Sequence, residues 1–382
     1  MAAETDLDVA IIGGGPAGLT LGRMLAAAGL KTSVFEARSA GASATDGRAL
    51  ALSWRSHLTL ARLGTTVPSL PGVAPIDAIH ISHAGHPGRT LLRAAETGVP
   101  SFGFVVGYGA LVGALQSDVP EGLFVEHDAP VVAINDAGTS ITLRHARGLV
   151  RAAVAVIADG AGALLDELGF RATAREYGTH ALVGTVRVSE PVPGLAFERF
   201  TAHGPLALLP CQDGHALVWT LPPDEARRMQ SAPESAVRTA LQHAFGWRLG
   251  RVVGVEARAA FPLALRQTRP ATLGRVAAVG NAAQTLHPVA GQGFNLALRD
   301  VTVLASDLVA HRHDLAGALG GYGRERAGDR TRTIGFTHAL AEGFTVGGAP
   351  AAWLRGGLLA ALDLAPPARR TFAHLLSTTP LP

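Results

Sequence analysis

The sequence predicts an α/β fold, in which a dinucleotide-binding domain on a parallel sheet is interrupted by a mostly antiparallel β-sheet domain and followed by a helical C-terminal region. Three observations predict it. A strand, a glycine-rich turn, a helix and a second strand ending in an acid occupy residues 7–36. A second glycine-rich loop, within 280–293, lies between an apolar strand and a helix-periodic run. Between 171 and 266 the texture changes to short segments of alternating polarity, the mark of an antiparallel sheet. At 382 residues the chain can bury a large core in two closely packed domains. Residues 1–75, 98–170 and 266–325 are assigned to the first domain, 76–97 and 171–265 to the second, and 326–382 to the helical tail.

Val9, Ala10, Ile11 and Ile12 form a short buried strand, Gly13-Gly-Gly-Pro-Ala-Gly18 the turn, residues 19–28 a helix, and residues 32–35 a strand ending at Glu36. This is the dinucleotide fingerprint in a Rossmann-like setting. Gly13 makes the tight turn, Gly15 lets a pyrophosphate reach the backbone, Gly18 lets the helix press on the strand, and Glu36 is placed to hold ribose hydroxyls. Arg38, just beyond, reads more readily as a solvated side chain or an adenine-edge contact than as a 2′-phosphate partner. No second G-x-G-x-x-G follows a strand elsewhere, so the chain holds one dinucleotide and any other nucleotide visits transiently.

Asp46-Gly47-Arg48 precedes a helical pattern through Leu58, Leu60 and Leu63 that stops at Gly64. Residues 79–82 read as a strand. His80, His83 and His86 fall beside it without Cys or carboxylate support, and read as solvated strand and turn residues. Residues 108–115 form a helix and 131–134 and 140–143 strands, with turn signals at Asn135-Asp136 and Gly148. A further apolar run ends at Asp159-Gly160-Ala-Gly162. The second domain holds alternating segments at 181–188, 207–209, 216–221 and 256–263 and a helix at 234–245. The chain then re-enters the first domain at 275–310. There Pro288 fixes one backbone angle, Gly291 and Gly293 let a ligand approach bare backbone, and the helix at 294–308 turns its free N–H groups toward the loop. Such a helix start suits an anionic or electron-rich ring. His311 and His313, two apart, fall on different faces of a helix and make no metal pair. Residues 323–376 read as largely helical. Trp353, Leu354, Leu358, Leu359 and Leu362 share roughly one stripe, expected to pack against the protein rather than lipid.

Composition excludes several classes. Apolar residues make up 48%, too many for disorder, and no run reaches the ~18 uninterrupted apolar residues of a membrane span. Cys211 is the only cysteine, so neither an internal disulfide nor a cysteine-rich metal site is expected, and a reducing cytoplasm fits. The net charge of +3 is small, Lys31 is the only lysine, and no basic stripe with interleaved aromatics suggests nucleic acid. Glu4, Asp6 and Asp8 precede an apolar run that ends in three glycines rather than a cleavage site, unlike a signal peptide. There is no G-x-S-x-G, no H-E-x-x-H and no carboxylate pair for hydrolysis, so an organic cofactor carries the hard step.

Residues 279–300, Val-Gly-Asn-Ala-Ala-Gln-Thr-Leu-His-Pro-Val-Ala-Gly-Gln-Gly-Phe-Asn-Leu-Ala-Leu-Arg-Asp, resemble the second flavin-binding motif of the class A, single-component flavoprotein monooxygenases. The wording is closest to the ubiquinone-biosynthesis branch, the 2-polyprenyl-6-methoxyphenol hydroxylases. Most of the wider family has Gly-Asp and a His three residues later. Gly280-Asn281 and Gln284 stand here instead, a departure typical of that branch. The resemblance implies a Rossmann-like FAD-binding domain with an inserted substrate domain. It implies that FAD is the bound dinucleotide, and that NAD(P)H or another reductant meets the flavin from outside. It places His287, Pro288, Gly291, Gln292 and Gly293 beside the isoalloxazine and Asn281 and Asn295 among the cofactor contacts. Asn281 can hydrogen-bond a ribityl hydroxyl or phosphate oxygen, but without a carboxylate's charge. Arg48 then lies near the pyrophosphate, as a fork of donors suited to phosphate. Asp159 and Gly160 match the family's Asp-Gly motif between flavin and nicotinamide path. The family continues with Ser and Arg, whereas this chain has Ala163 and Leu164.

The implied reaction is transfer of one oxygen atom from O₂, through a flavin C4a-hydroperoxide, to a polyprenylated phenol of ubiquinone biosynthesis. The protein's part is to hold the flavin, stabilise charge at its N1 and C2-carbonyl edge, and exclude water. No base for the phenol proton stands out. The alternatives are a same-fold hydroxylase of a small soluble aromatic or an isoprenoid reductase, and a non-catalytic flavoprotein within a biosynthetic assembly. The expected setting is cytoplasmic or peripheral at the inner membrane, with other ubiquinone-biosynthesis proteins as further partners.

Overall fold

The computed structural model describes residues 6–86, 88–343 and 349–378. It is an α/β fold. The first sheet runs Thr272–Leu273, Val276–Ala278, Gly148–Ile157, Leu7–Ile12, Thr32–Phe35, Leu123–Glu126, and its neighbours from Val276–Ala278 onward are parallel. Strand alternation explains why both faces are covered. Val9, Ile11, Val154 and Val156 point to one face, under the helices Pro16–Ala27 and Gln292–Ala310, while Ala10, Ile12, Ala155 and Ile157 point to the other. Off the N-terminal half of Gly148–Ile157, the strands Ile141–His145 and Val131–Asp136 continue antiparallel.

The second sheet runs Gln284–Thr285, Val252–Arg269, Arg171–Val188, Gly214–Leu221, Gly204–Cys211, Leu195–Thr201, Ala78–His83, Arg89–Arg93, with only Leu195–Thr201 and Ala78–His83 parallel. One face carries Leu182, Leu206, Leu208, Leu217 and Trp219 against the helices Pro223–Ser231 and Glu234–Phe245. The other carries Ala196, Ala207, Leu209 and Val218 toward a cavity shared with the first domain. A third, small sheet orders Ala49–Ser53, Gly103–Gly107, Ala74–Ile76.

Several elements differ from the sequence reading for identifiable reasons. The strand expected at 131–134 continues through Asp136; the turn comes later because Asp136 Oδ1 accepts the Gly138 N–H (2.8 Å). Ala49–Ser53 is a strand, and the helix after it, capped by the Ser53 hydroxyl, ends at Ala61 rather than running to Gly64. The helix Pro223–Ser231 was not expected, its polar sequence showing only Ala226 and Met229 to the core. His83 is buried rather than solvated, its ring 4.9 Å from that of His86, because its strand is paired on both sides. His311 caps the helix Gln292–Ala310 and His313 lies in the turn after it, so the two are not on helix faces at all. The tail is helical, Leu315–Gly343, Ala349–Leu364 and Pro366–Thr378, but its stripe divides: Leu359 is buried and Leu358 is 61% exposed. The side chains of Trp353 and Leu354 lie outside the described residues. Among the described residues no helix is long and apolar enough to cross a membrane.

Candidate functional site: a dinucleotide edge and an apolar cavity

The parallel strands end together at Ile12, Phe35, Ile157 and Ala278, and the loops that follow them share one edge. Gly13 turns with φ +109, and a Cβ there would lie 2.6 Å from Ala158 C and O. A Cβ on Gly18 would meet Gly13 O at 2.1 Å, so no larger residue fits either place. Gly15 caps the helix Pro16–Ala27 with no side-chain cap, which leaves that helix start open to an anion. A Cβ on Gly15 would have one near neighbour, the Tyr108 hydroxyl at 3.2 Å.

Glu36 accepts the Gly14 N–H at 2.8 Å and the Arg38 N–H and Nε–H at 2.9 Å each. Burial pushes its carboxyl up, but these bonds outweigh burial and hold it below the usual carboxylate range. Arg38 is therefore turned onto Glu36 rather than left in solvent, and its guanidinium pKa is raised, first by that bond. Arg48 is bound by Asp46, Nη2 to Oδ2 at 2.6 Å, and stacks 4.5 Å from the Tyr108 ring centroid. Asp159 is exposed, and its Oδ1 accepts the N–H groups of Ala161 (3.1 Å) and Gly162 (2.7 Å); a Cβ on Gly160 would meet nothing within 4 Å. Gly280, at φ +62, sets its α-carbon against the first helix, a Cβ there lying 3.5 Å from Ala17 Cβ, with Asn281 exposed beside it. The structure thus brings Gly13, Gly15, Gly18, Glu36, Arg38, Arg48, Asp159, Gly160 and Asn281 to one edge.

The remaining residues lie on the cavity side. Gly291 starts the helix Gln292–Ala310 at φ +60, with a Cβ position 3.0 Å from Ala51 Cβ, a backbone and a space that favour glycine. A Cβ on Gly293 would meet nothing within 4 Å. Pro288, Gly291 and Gln292 line the cavity, with Gln292 3% exposed. His287 is buried with its ring edge-on to Tyr177 (5.2 Å, 87°), and its Nδ1 accepts the Val289 N–H at 3.2 Å. Burial lowers it to about 4, so it is neutral and shapes the loop. The side chain of Asn295, expected among the cofactor contacts, is engaged within the protein. Its Oδ1 accepts from Ser53 N (2.8 Å) and Ser56 Oγ (2.7 Å), and its Nδ2 donates to Ala51 O (3.0 Å) and Gly291 O (2.8 Å). That is its full capacity; it ties the helix start to the neighbouring strand.

Three features escaped the sequence reading. Tyr108 reads there only as the first residue of a helix, yet its hydroxyl faces Gly15. Gln284 donates to Asp300 (2.7 Å), and that fully buried carboxylate also accepts from Arg326 (2.8 Å) and Arg330 (3.1 Å), clamping the loop to the helices Gln292–Ala310 and Leu315–Gly343. Glu198 lies on the cavity face of its strand, where alternation around it gives only apolar residues. The cavity, about 140 Å³, is otherwise lined mainly by apolar residues such as Ile79, Ile81, Phe102, Leu209 and Val289.

These features fit a flavin dinucleotide: glycines where a Cβ would collide, an uncapped helix start open to a pyrophosphate, and open space beside the backbone at Gly160 and Gly293. Relatives and solved structures agree. The family described as FAD binding domain matches residues 6–328. The chain is 30% identical to the uncharacterized protein slr1300 of Synechocystis sp., over 98% of this chain and 94% of that protein. It is 31% identical to the ubiquinone hydroxylase UbiL of Rhodospirillum rubrum, over 99% of this chain and 91% of that protein. Its fold is that of the p-nitrophenol 4-monooxygenase PnpA of Pseudomonas putida, with TM-score 0.80, 17% identity and 98% of each chain covered. Fold, glycine edge and relatives together establish that the chain belongs to the FAD binding domain family, as an FAD-dependent monooxygenase.

Proposed function

We propose that the chain hydroxylates the phenol ring of a polyprenylated ubiquinone precursor. The observation that carries this is the cavity, an apolar chamber with one carboxyl that meets the Pro288–Gly291 side of the cofactor loop. The name of its relative UbiL, a ubiquinone hydroxylase, supports the substrate class. Leu359 and Phe372 of the C-terminal helices also line the chamber, giving an apolar substituent an apolar way past the ring.

In this reading residues 1–75, 98–170 and 266–325 hold FAD, 76–97 and 171–265 enclose the substrate, and 326–382 close the chamber. Gly13, Gly15 and Gly18 and the start of the first helix hold the pyrophosphate, Glu36 keeps acceptor capacity for ribose hydroxyls, and Arg38 and Arg48, each paired to a carboxylate, offer their remaining N–H donors. Asp159, Gly160 and Asn281 flank the ribityl chain. Pro288, Gly291, Gln292 and Gly293 border the ring, where the dipole of the helix Gln292–Ala310 favours negative charge. His287 and Asn295 position that loop. Bound FAD, reduced by NAD(P)H, supplies the activation of O₂; overall a ring C–H, O₂, NAD(P)H and a proton give a ring C–OH, water and NAD(P)⁺. The chain's own contribution is to keep the chamber dry, so that reducing equivalents are not lost as hydrogen peroxide. Exposed Leu358 and Leu364 on the helix Ala349–Leu364 offer apolar contacts for a membrane surface where a prenylated substrate resides.

The modest cavity, about 140 Å³, favours a second reading, hydroxylation of a small soluble aromatic. Purified FAD-loaded protein given NADPH and a prenylated methoxyphenol, or its tail-less parent, decides between them. Faster, better-coupled turnover of the prenylated compound supports the first reading; preference for the parent overturns it.

A further inference from the structure

Glu198 sits in mid-strand, in register with Ala207 on one side and Ile81 on the other. Alternation sends Ala196, Glu198 and Phe200 to the cavity. Arg199 goes the other way, its Nε donating to Ala244 O (2.9 Å) and its Nη1 to Ser82 Oγ (3.3 Å), so the nearest cation in sequence is turned from the carboxyl. Glu198 Oε1 is shut off from solvent and has no hydrogen-bond partner among the described residues. Among the described residues no arginine, lysine or histidine lines the cavity. A leucine would fill this place without leaving a polar atom unpaired. A carboxyl that lines an apolar chamber, with one oxygen left without a hydrogen-bond partner among the described residues, is completed by a ligand that reaches it.

We infer that Glu198 is the polar anchor of the substrate chamber: its carboxyl hydrogen-bonds an oxygen substituent of a neutral, otherwise apolar ring, fixing which edge of the ring faces the Pro288–Gly291 loop. The inference rests on the reading of this chamber as the substrate site. Burial, with no charged group contributing, pushes the carboxyl up to about 8, so at neutral pH it is mostly the uncharged acid. An uncharged acid offers one donor and one acceptor, which a phenol hydroxyl can match at once. An aromatic acid finds no cation among the described lining residues and must leave its charge in an apolar chamber. The class selected is therefore a neutral phenol or phenol ether, not an aromatic carboxylate.

The test uses the FAD-loaded protein, its Glu198→Leu and Glu198→Gln variants, and three probes: 4-hexylphenol, hexylbenzene and 4-hexylbenzoate. Binding is read from the change in flavin absorbance, and oxygen transfer from product formed per O₂ consumed. The wild type should bind 4-hexylphenol at least about tenfold tighter than hexylbenzene, and bind the benzoate most weakly. Glu198→Leu should bring the phenol-to-hexylbenzene ratio to near one while hexylbenzene affinity is kept or improved, and Glu198→Gln, still a donor and acceptor, should restore part of the ratio. If Glu198→Leu loads too little flavin to read, Glu198→Met serves for the same comparison. A ratio unchanged by removing the carboxyl overturns the anchor, as does tightest binding of the benzoate. If the wild type responds to none of the three, the chamber is not a phenol site and the anchor falls with it. If the ratios behave as expected but no product forms with any phenol, the anchor stands and the hydroxylase reading falls.

Discussion

The substitution Asn295→Asp keeps size and shape but replaces a neutral amide, donor and acceptor, by a buried acceptor-only carboxylate, which makes it a sharp test of how the cofactor loop is held. The new carboxylate could still accept from Ser53 N and Ser56 Oγ, now 2.8 and 2.7 Å from Asn295 Oδ1. It would lose both donations, and would set a carboxylate oxygen against the carbonyls of Ala51 and Gly291, 3.0 and 2.8 Å from the present Nδ2. The site is 5% exposed, so water does not replace the lost partners. At about 1–3 kcal/mol per buried group left unpaired, taken at the lower end because a backbone carbonyl has a second lone pair, the two lost donations cost about 2–3 kcal/mol, and the buried negative charge adds to that, so the loss is at least about 2–3 kcal/mol. Guanidinium unfolding of the FAD-loaded protein should show it as a lower midpoint with unchanged slope. Because the Gly13 to Glu36 edge is untouched, flavin should remain bound while product per O₂ falls as the helix start shifts. Stability within about 0.5 kcal/mol of wild type together with unchanged coupling would refute the positioning role.

Three further outcomes are expected. Gly15→Ala puts a methyl 3.2 Å from the Tyr108 hydroxyl, a contact the ring can relieve, so the protein should fold yet be isolated without flavin; a yellow, fully loaded variant removes Gly15 from the pyrophosphate site. Gly293→Val projects into open backbone space beside the loop and should leave FAD bound while hydroxylation drops at least about tenfold, ~1.4 kcal/mol of transition-state stabilisation. Unchanged turnover and coupling there would mean the loop is not the oxygen-transfer face. His287 falls from 6.5 to about 4 through burial, so the folded state disfavours its proton. Its neutral form costs nothing above pH 6.5, and stability declines as pH drops from about 6.5 toward 4, by up to ~1.4 kcal/mol per unit. His80 behaves alike, so the measurement is the difference in unfolding free energy between wild type and His287→Gln. That difference should be flat at neutral pH and slope in acid; a slope absent below pH 6 shows that His287 is not held neutral.

What the sequence discloses depends on how local the cause is. The turn at Gly13, Gly15 and Gly18 and the strand at 32–35 are legible because steric demand at a tight turn is written in neighbouring residues. The paired antiparallel strands Arg171–Val188 and Val252–Arg269 are legible only in part. Arg171 to Glu176 are exposed on both faces and are held by ladder pairing to residues 264–269, which leaves no alternation to read. Asn295 was visible as a motif residue but not as the tie to Ser53 and Ser56, some 240 positions away. Glu198 carries no local signal at all. Its meaning comes from register, which places Ala207 and Ile81 beside it and the Pro288–Gly291 loop across the chamber.

The central claim is oxygen transfer from O₂ to a phenol ring inside the apolar chamber. Its most direct measurement is mass spectrometry of the product formed by purified, FAD-loaded protein from a prenylated phenol and NADPH under ¹⁸O₂. The expected result is one labelled hydroxyl per ring and close to one product per O₂ consumed. An unlabelled product in ¹⁸O₂, label drawn from ¹⁸O-water, or flavin reoxidation that yields hydrogen peroxide with every prenylated or tail-less phenol supplied would contradict it.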